Sequence, residues 1–225
     1  MKQGFVKVAS ATPRIRVADP VYNAQVICEQ AKEAAEHGAK IVVFPELCIT
    51  GYTCNDLFLQ ELLLEKAKEA LLTIVEETGQ LEALFLVGLP VDKDGRLYNV
   101  AAVLYRGRIL GMIPKKNIPM YAEFYEGRHF TPGEETVTEY RLGKQVIPFG
   151  SNLLFRCEEL PELILGCELC EDLWVAEPPS TSHALMGATV IANLSASNET
   201  VSKDDYRTLL VKASSARLLC GYIYT

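Results

Sequence analysis

Short runs of consecutive apolar residues alternate with amphipathic stretches along this chain. Ile41-Val42-Val43-Phe44 is continuous and apolar, the mark of a strand buried on both faces. Ala83–Gly88, Ile164–Cys167 and Thr189–Asn193 read the same way, while Phe5–Ala9 alternates weakly and predicts a first strand. Between them, Pro20 opens a helical stretch in which Ala24, Cys28, Ala31 and Ala35 share a face and Gly38 is placed to end it. A second helix is predicted over about Gln60–Thr78, a short one over Ser180–Met186, and a last one over about Asp204–Cys220. Turn chemistry at Asp92-Lys93-Asp94-Gly95 and at Arg106-Gly107 brackets Leu97–Tyr105 and predicts a hairpin with Ile109–Ile113. Gly221-Tyr222-Ile223-Tyr224 reads as a strand just beginning. Strands interleaved with helices, without repeats or a low-complexity linker, predict one layered α/β domain. The stretch from Ala122 to Glu139 has no clear period, and irregular segments of that length in compact domains are usually functional or disordered.

Composition narrows the class. With 225 residues, 49% hydrophobic and 23% charged, the chain is long enough for a substantial core and has the balance of a soluble protein. A net charge of −7 argues against nucleic acid as the main partner. Lys7 and Pro13 interrupt any apolar leader, and no uncharged apolar run reaches the roughly 20 residues of a membrane span. Seven cysteines without the marks of a small secreted scaffold predict a reducing, cytoplasmic setting.

The candidate chemistry sits at strand ends. Ile41–Phe44 runs into Pro45-Glu46, the strand through Ile113 into Pro114-Lys115, and the strand near Cys167 into Cys170-Glu171-Asp172. Reactive groups in α/β sheets collect at the carboxyl ends of strands. Taken singly, Glu46 has the simpler reading of a capping carboxylate, Lys115 of a turn lysine and Cys170 of a buried structural thiol. A lone Cys167-x-x-Cys170 pair with three histidines in the chain is poor support for zinc.

Together the three segments closely resemble the nitrilase (carbon–nitrogen hydrolase) superfamily. Phe44-Pro45-Glu46-Leu47, Pro114-Lys115 and Cys170-Glu171-Asp172-Leu173-Trp174 match its motifs in order. Finer matches at Lys116-Asn117-Ile118-Pro119, Glu123-Phe124-Tyr125-Glu126 and Asn193-Leu194-Ser195-Ala196-Ser197-Asn198 resemble one branch, the glutaminase domains of glutamine-dependent NAD synthetases. The resemblance implies a four-layer α-β-β-α sandwich, truncated at its C-terminal side, since the chain stops at Thr225 inside a strand that the family continues. It implies hydrolysis of the glutamine side-chain amide by a Glu46–Lys115–Cys170 triad, with Lys115 rather than Lys116 as the lysine. The backbone N–H of Glu171 is the implied second oxyanion donor, and Glu123 the implied second glutamate positioning the lysine. Tyr121, Ser197 and Lys203 are the implied glutamine ligands, although Ser202 stands where the branch has Gly before that last position. No cofactor is implied for this domain; ATP and Mg²⁺ belong to a synthetase domain not in this chain, which is the implied partner beside glutamine. A homo-oligomer through sandwich packing is also implied. Another amidase of the superfamily, or a non-catalytic sandwich domain, are the competing readings.

Overall fold

Pro20 starts the first helix as the sequence predicts, and Asp19 caps it. The Asp19 carboxylate accepts from the N–H of Tyr22 at 3.1 Å, and Pro20 takes the first helical position, where its missing N–H costs nothing. Helix α1 (Pro20–Glu36) packs beside α2 (Glu61–Glu77). Their buried faces, with Ile27, Ala31, Leu71 and Ile74 fully enclosed, cover one side of a large sheet. Each such aliphatic side chain contributes roughly 1.5–3 kcal/mol by leaving water. The computed structural model describes residues 4–225; the domain reading of the sequence also takes in residues 1–3, which lie outside the described residues.

The large sheet contains β1 (Val8–Ser10), β2 (Ile41–Val43), β3 (Leu84–Lys93), β4 (Arg96–Tyr105), β5 (Arg108–Pro114), β6 (Thr138–Leu142) and β7 (Gln145–Phe149), in the order β1-β2-β3-β4-β5-β7-β6. The first three strands are parallel, and β3–β4 and β4–β5 are hairpins. Both predicted turns are two-residue turns of the I′ kind. Asp94 and Gly95 lie between the Lys93–Arg96 pair with φ of 53° and 73°, and Arg106 and Gly107 lie between Tyr105 and Arg108 with φ of 47° and 70°.

A second sheet contains β8 (Leu154–Arg156), β9 (Ile164–Leu169), β10 (Val190–Leu194) and β11 (Gly221–Tyr224), in the order β11-β10-β9-β8. It stacks on the large sheet: Leu165, Cys167 and Leu169 of β9 meet Val43, Leu86 and Val103 in one apolar cluster. Its other face is covered by α3 (Pro179–Leu185) and α4 (Lys203–Leu218). The result is a mixed α/β fold of two stacked sheets flanked by helices, the layering that the sequence predicts. β11 is the edge strand of the smaller sheet.

Candidate active site

Three strand ends converge between the sheets. β2 leads into Glu46, β5 ends immediately before Lys115, and β9 leads into Cys170, which opens a short 3₁₀ turn through Leu173. All three residues are buried, with exposures of 2%, 0% and 5%. Cys170 is therefore more enclosed than a reactive thiol at an open surface, and Cys167, at 1%, lies in the apolar layer between the sheets. Both are free thiols, as is every other cysteine, so the C-x-x-C spacing forms no bond.

Cys170 sits at φ = 40°, in the left-handed region that a non-glycine residue occupies at a cost of about 1–3 kcal/mol. That turn swings the chain out of β9 and resembles the strained strand-to-helix elbow that presents nucleophiles in other α/β folds. Its N–H donates to Asn193 Oδ1 at 3.1 Å, and Ser195 Oγ donates to its Sγ at 3.3 Å. Ser195 Oγ also accepts from the Ser197 N–H at 3.2 Å and lies 2.7 Å from the Tyr224 hydroxyl. Asp172 explains why the thiol motif carries an acid two residues on. Its buried carboxylate accepts from the N–H of Leu169 at 3.0 Å and from the N–H and side-chain amide of Asn117, each at 2.8 Å. One side chain thus clasps the cysteine turn to the segment that follows Lys115.

The Lys115 ammonium lies between two carboxylates. It donates to Glu46 Oε1 and to Glu126 Oε1, both at 2.7 Å. Asn99 Nδ2 donates to Glu46 Oε1 at 2.7 Å and to Glu126 Oε2 at 3.4 Å, Tyr52 donates to Glu126 Oε1 at 2.8 Å, and the Ala196 N–H donates to Glu46 Oε2 at 3.1 Å. Burial alone would push the lysine down, but the charges of Glu46 and Glu126 reverse this and hold it above its ordinary range. Glu126 is raised by its burial and by the neighbouring Glu46. The Cys170 thiol is pushed up to about 12, by burial first and by the Glu46 charge second, with Lys115 pulling the other way. At neutral pH this thiol keeps its proton until a base removes it.

The expectation for the second glutamate is corrected by this geometry. Glu126, not Glu123, contacts Lys115; Glu123 is exposed and accepts from Asn198 Nδ2. Residues 123 and 126 lie in an irregular segment, where no period tells which side chain turns inward. Glu126 begins a one-turn 3₁₀ helix through Arg128 that aims it into the core. Lys116 points outward to Glu135, so only Lys115 of the two adjacent lysines enters the site. Tyr121 is half exposed and donates to the Glu171 carboxylate at 2.9 Å. Ser197 follows Ser195 along the rim. Lys203 bonds Asn198 Oδ1, with its ammonium 5.2 Å from the Trp174 ring centre and 5.5 Å from that of Phe124. Tyr121, Glu123, Ser197 and Lys203 thereby lie on segments adjoining the buried trio. The Glu171 N–H occupies the first turn of the 3₁₀ helix, where backbone donors lack partners within the helix. Ser195, Asn99 and Asp172 were not singled out from the sequence; the available signal was a polar residue just beyond a strand end for Ser195 and Asp172, and one inside the apolar strand β4 for Asn99. A separate cavity of about 440 Å³ opens at the opposite strand ends, near Lys40, Arg106 and Glu158, away from these groups.

Gly88 gives the Glu46 turn its room. A Cβ there would fall 2.3 Å from Leu47 N, 2.7 Å from Pro45 O and 2.8 Å from Glu46 C, all backbone atoms. Gly88→Ala is expected to destabilise the fold by about 1–3 kcal/mol, as overpacking does, because a backbone cannot rotate away as a side chain can. Chemical denaturation checks this, and an unchanged midpoint would contradict the packing described.

These elements define a two-sheet sandwich with a buried thiol, amine and carboxylate at neighbouring strand ends. The chain belongs to the carbon–nitrogen hydrolase family, whose model matches residues 7–221. Within it, the chain is 42% identical over 223 residues to the glutamine-dependent NAD(+) synthetase of Mycobacterium tuberculosis H37Rv, covering 99% of this chain and 33% of that protein. The glutamine-dependent NAD(+) synthetase structure from Cytophaga hutchinsonii superposes with a TM-score of 0.87 at 30% identity, over 97% of this chain and 35% of that one. An amidase from Nesterenkonia sp. shares the fold, with a TM-score of 0.72 at 20% identity, over 97% of this chain and 75% of that one. The chain spans about a third of the length of these curated relatives.

Proposed function

We propose that this chain is a glutamine amidohydrolase domain, releasing glutamate and ammonia, and that the ammonia serves ATP-dependent amidation of deamido-NAD to NAD by a synthetase domain. The observation that carries the reading is one lysine shared by two buried carboxylates beside a cysteine held on a left-handed elbow. Its likeness to the synthetases of M. tuberculosis and C. hutchinsonii supports glutamine as the amide. ATP and Mg²⁺ are needed by the synthetase domain, and the steps below use only groups of this chain.

The chemistry follows from the geometry. Glu46 takes the thiol proton as Cys170 Sγ attacks the amide carbon. Two of the three Lys115 N–H groups face Glu46 and Glu126; the third, with the Glu171 N–H, meets the negative charge growing on the carbonyl oxygen. Glu46 passes its proton to the departing nitrogen, and ammonia leaves a thioester. Water then attacks the thioester carbon while Glu46 accepts its proton, glutamate departs, and the proton returns to sulfur. Glu126 and Tyr52 fix the lysine throughout. Tyr121, Ser197 and Lys203 are assigned to the α-amino and α-carboxylate groups, and Glu123 to orienting Asn198. The domain works in a reducing cytoplasm, which its free thiols favour, and pairs with a second copy through its sandwich helices, where α4 exposes Tyr206 and Leu209.

The test is ammonia release from L-glutamine against acetamide and butyramide, in the complete protein. Glutamine should be preferred by roughly a hundredfold or more, because a site built for polar groups rejects compounds lacking them. Equal turnover would make this a general amidase. No turnover, with no trapping of Cys170 by a glutamine-like electrophile, would make it a non-catalytic sandwich.

A further inference from the structure

The triad leaves one buried acid unused. Glu168, two residues before the thiol, is 1% exposed and lies on the helix-facing side of β9, opposite the apolar layer that takes Cys167 and Leu169. Its Oε2 accepts from the Ser180 N–H at 2.8 Å, and its Oε1 accepts from the Tyr222 hydroxyl. The Tyr222 oxygen in turn accepts from Asn193 Nδ2 at 3.4 Å, and Asn193 Oδ1 accepts from the Cys170 N–H at 3.1 Å. The donors all point one way: cysteine N–H to asparagine, asparagine to tyrosine, tyrosine to carboxylate. This sense fixes which end of the Asn193 amide faces the nucleophile. An amide turned the other way would set a donor against the Cys170 N–H and spoil the elbow.

We infer that Glu168, acting through Tyr222 and Asn193, is a positioning residue that orients the Cys170 backbone for attack on the amide. The inference rests on the proposed role of Cys170 as nucleophile. It needs a carboxylate in particular. A glutamine at this place has one acceptor and one donor, yet both contacts, Ser180 N–H and Tyr222 O–H, are donors. One of the two must clash, or Tyr222 must reverse its hydroxyl and with it the whole chain. Burial first, and the nearby Asp172 charge, raise Glu168 to about 7, while Tyr222 and the Ser180 backbone oppose the rise. These groups, from β11, α3 and the turn after β9, are the ones that face it. The orienting carboxylate is thus lost as pH falls through neutrality.

The experiment compares E168Q, Y222F, the double variant and C170A in the complete protein, with the first three rates normalised to active sites trapped at Cys170 and the C170A rate to folded protein. The expected result is an inactive C170A and a roughly tenfold or greater loss of kcat in both E168Q and Y222F, with KM within about twofold. The double variant should lose no more than either single one, because both cut the same chain. The acid limb of the kcat profile near neutrality should disappear in E168Q. If C170A is inactive while E168Q and Y222F keep the parental kcat per active site, or if the two losses multiply, the positioning chain is wrong and the proposed function stands. If C170A retains activity, the proposed function falls and the inference falls with it. Poor folding of E168Q does not block the test, since Y222F keeps the aromatic volume and cuts the same link.

Discussion

Cys170→Ala is expected to lower glutamine hydrolysis by at least roughly 10⁴-fold, the scale on which removing one member of a nucleophilic triad acts. In the proposed mechanism the sulfur forms the thioester, and no neighbour replaces it: Ser195 donates to that sulfur and belongs to the scaffold around it. Stability should change little, because alanine keeps the β-carbon and the backbone N–H bond to Asn193 survives the substitution. Steady-state ammonia release and a thermal melt on the same preparation check both halves. Retention of more than about one percent of activity would remove Cys170 from the mechanism.

Lys115→Met is the second large effect, and here stability falls together with activity. Methionine fills a similar volume but leaves Glu46 and Glu126 facing each other without the shared ammonium, both buried. Breaking a buried ion pair by removing one partner costs about 3–5 kcal/mol. The loss should depend on pH with a definite sign. Glu126 already titrates above the ordinary carboxylate range in the folded chain, so its ionisation opposes folding as pH rises through that raised value. Removing the lysine raises it further. K115M should therefore be most destabilised at neutral and alkaline pH and recover part of its deficit in mild acid, where Glu126 binds a proton. Denaturation midpoints across pH for both proteins measure this. A deficit that grows toward acid would contradict the buried arrangement.

Much of the fold was legible because its signals were local. Ile41–Val43 had to be a doubly buried strand, and Asp94-Gly95 and Arg106-Gly107 had to turn hairpins. Pro20 and Gly38 bracketed the first helix as their backbone preferences require. The reactive trio was legible from its strand-end motifs. The β6–β7 hairpin was passed over although Thr138, Tyr140 and Leu142 alternate with Glu139 and Arg141, and Gly143-Lys144 forms its two-residue turn. Its weak burial, with only Tyr140, Ile147 and Phe149 buried, dilutes the pattern. The 3₁₀ stretch at Tyr52–Leu59 contains a break at Asn55 with φ of 49°, which no helical period reveals. Choosing Glu123 over Glu126 failed for a related reason. The direction of a side chain in an irregular segment is decided by what it meets, here Lys115, Tyr52 and Asn99, all distant in sequence. Tertiary partners, not local preference, assign that position.

The proposed reacting groups come from different sheets: Glu46 and Lys115 follow strands of the larger one and Cys170 follows a strand of the smaller, with the Asp172–Asn117 clasp across the gap. The catalyst therefore comes into being only when the two halves have docked. A nascent or partly opened chain carries a bare thiol and a solvated amine, neither of which splits an amide on its own. On the proposed function, ammonia production would in this way be a late property of assembly, and a chain that has not closed would not spend glutamine.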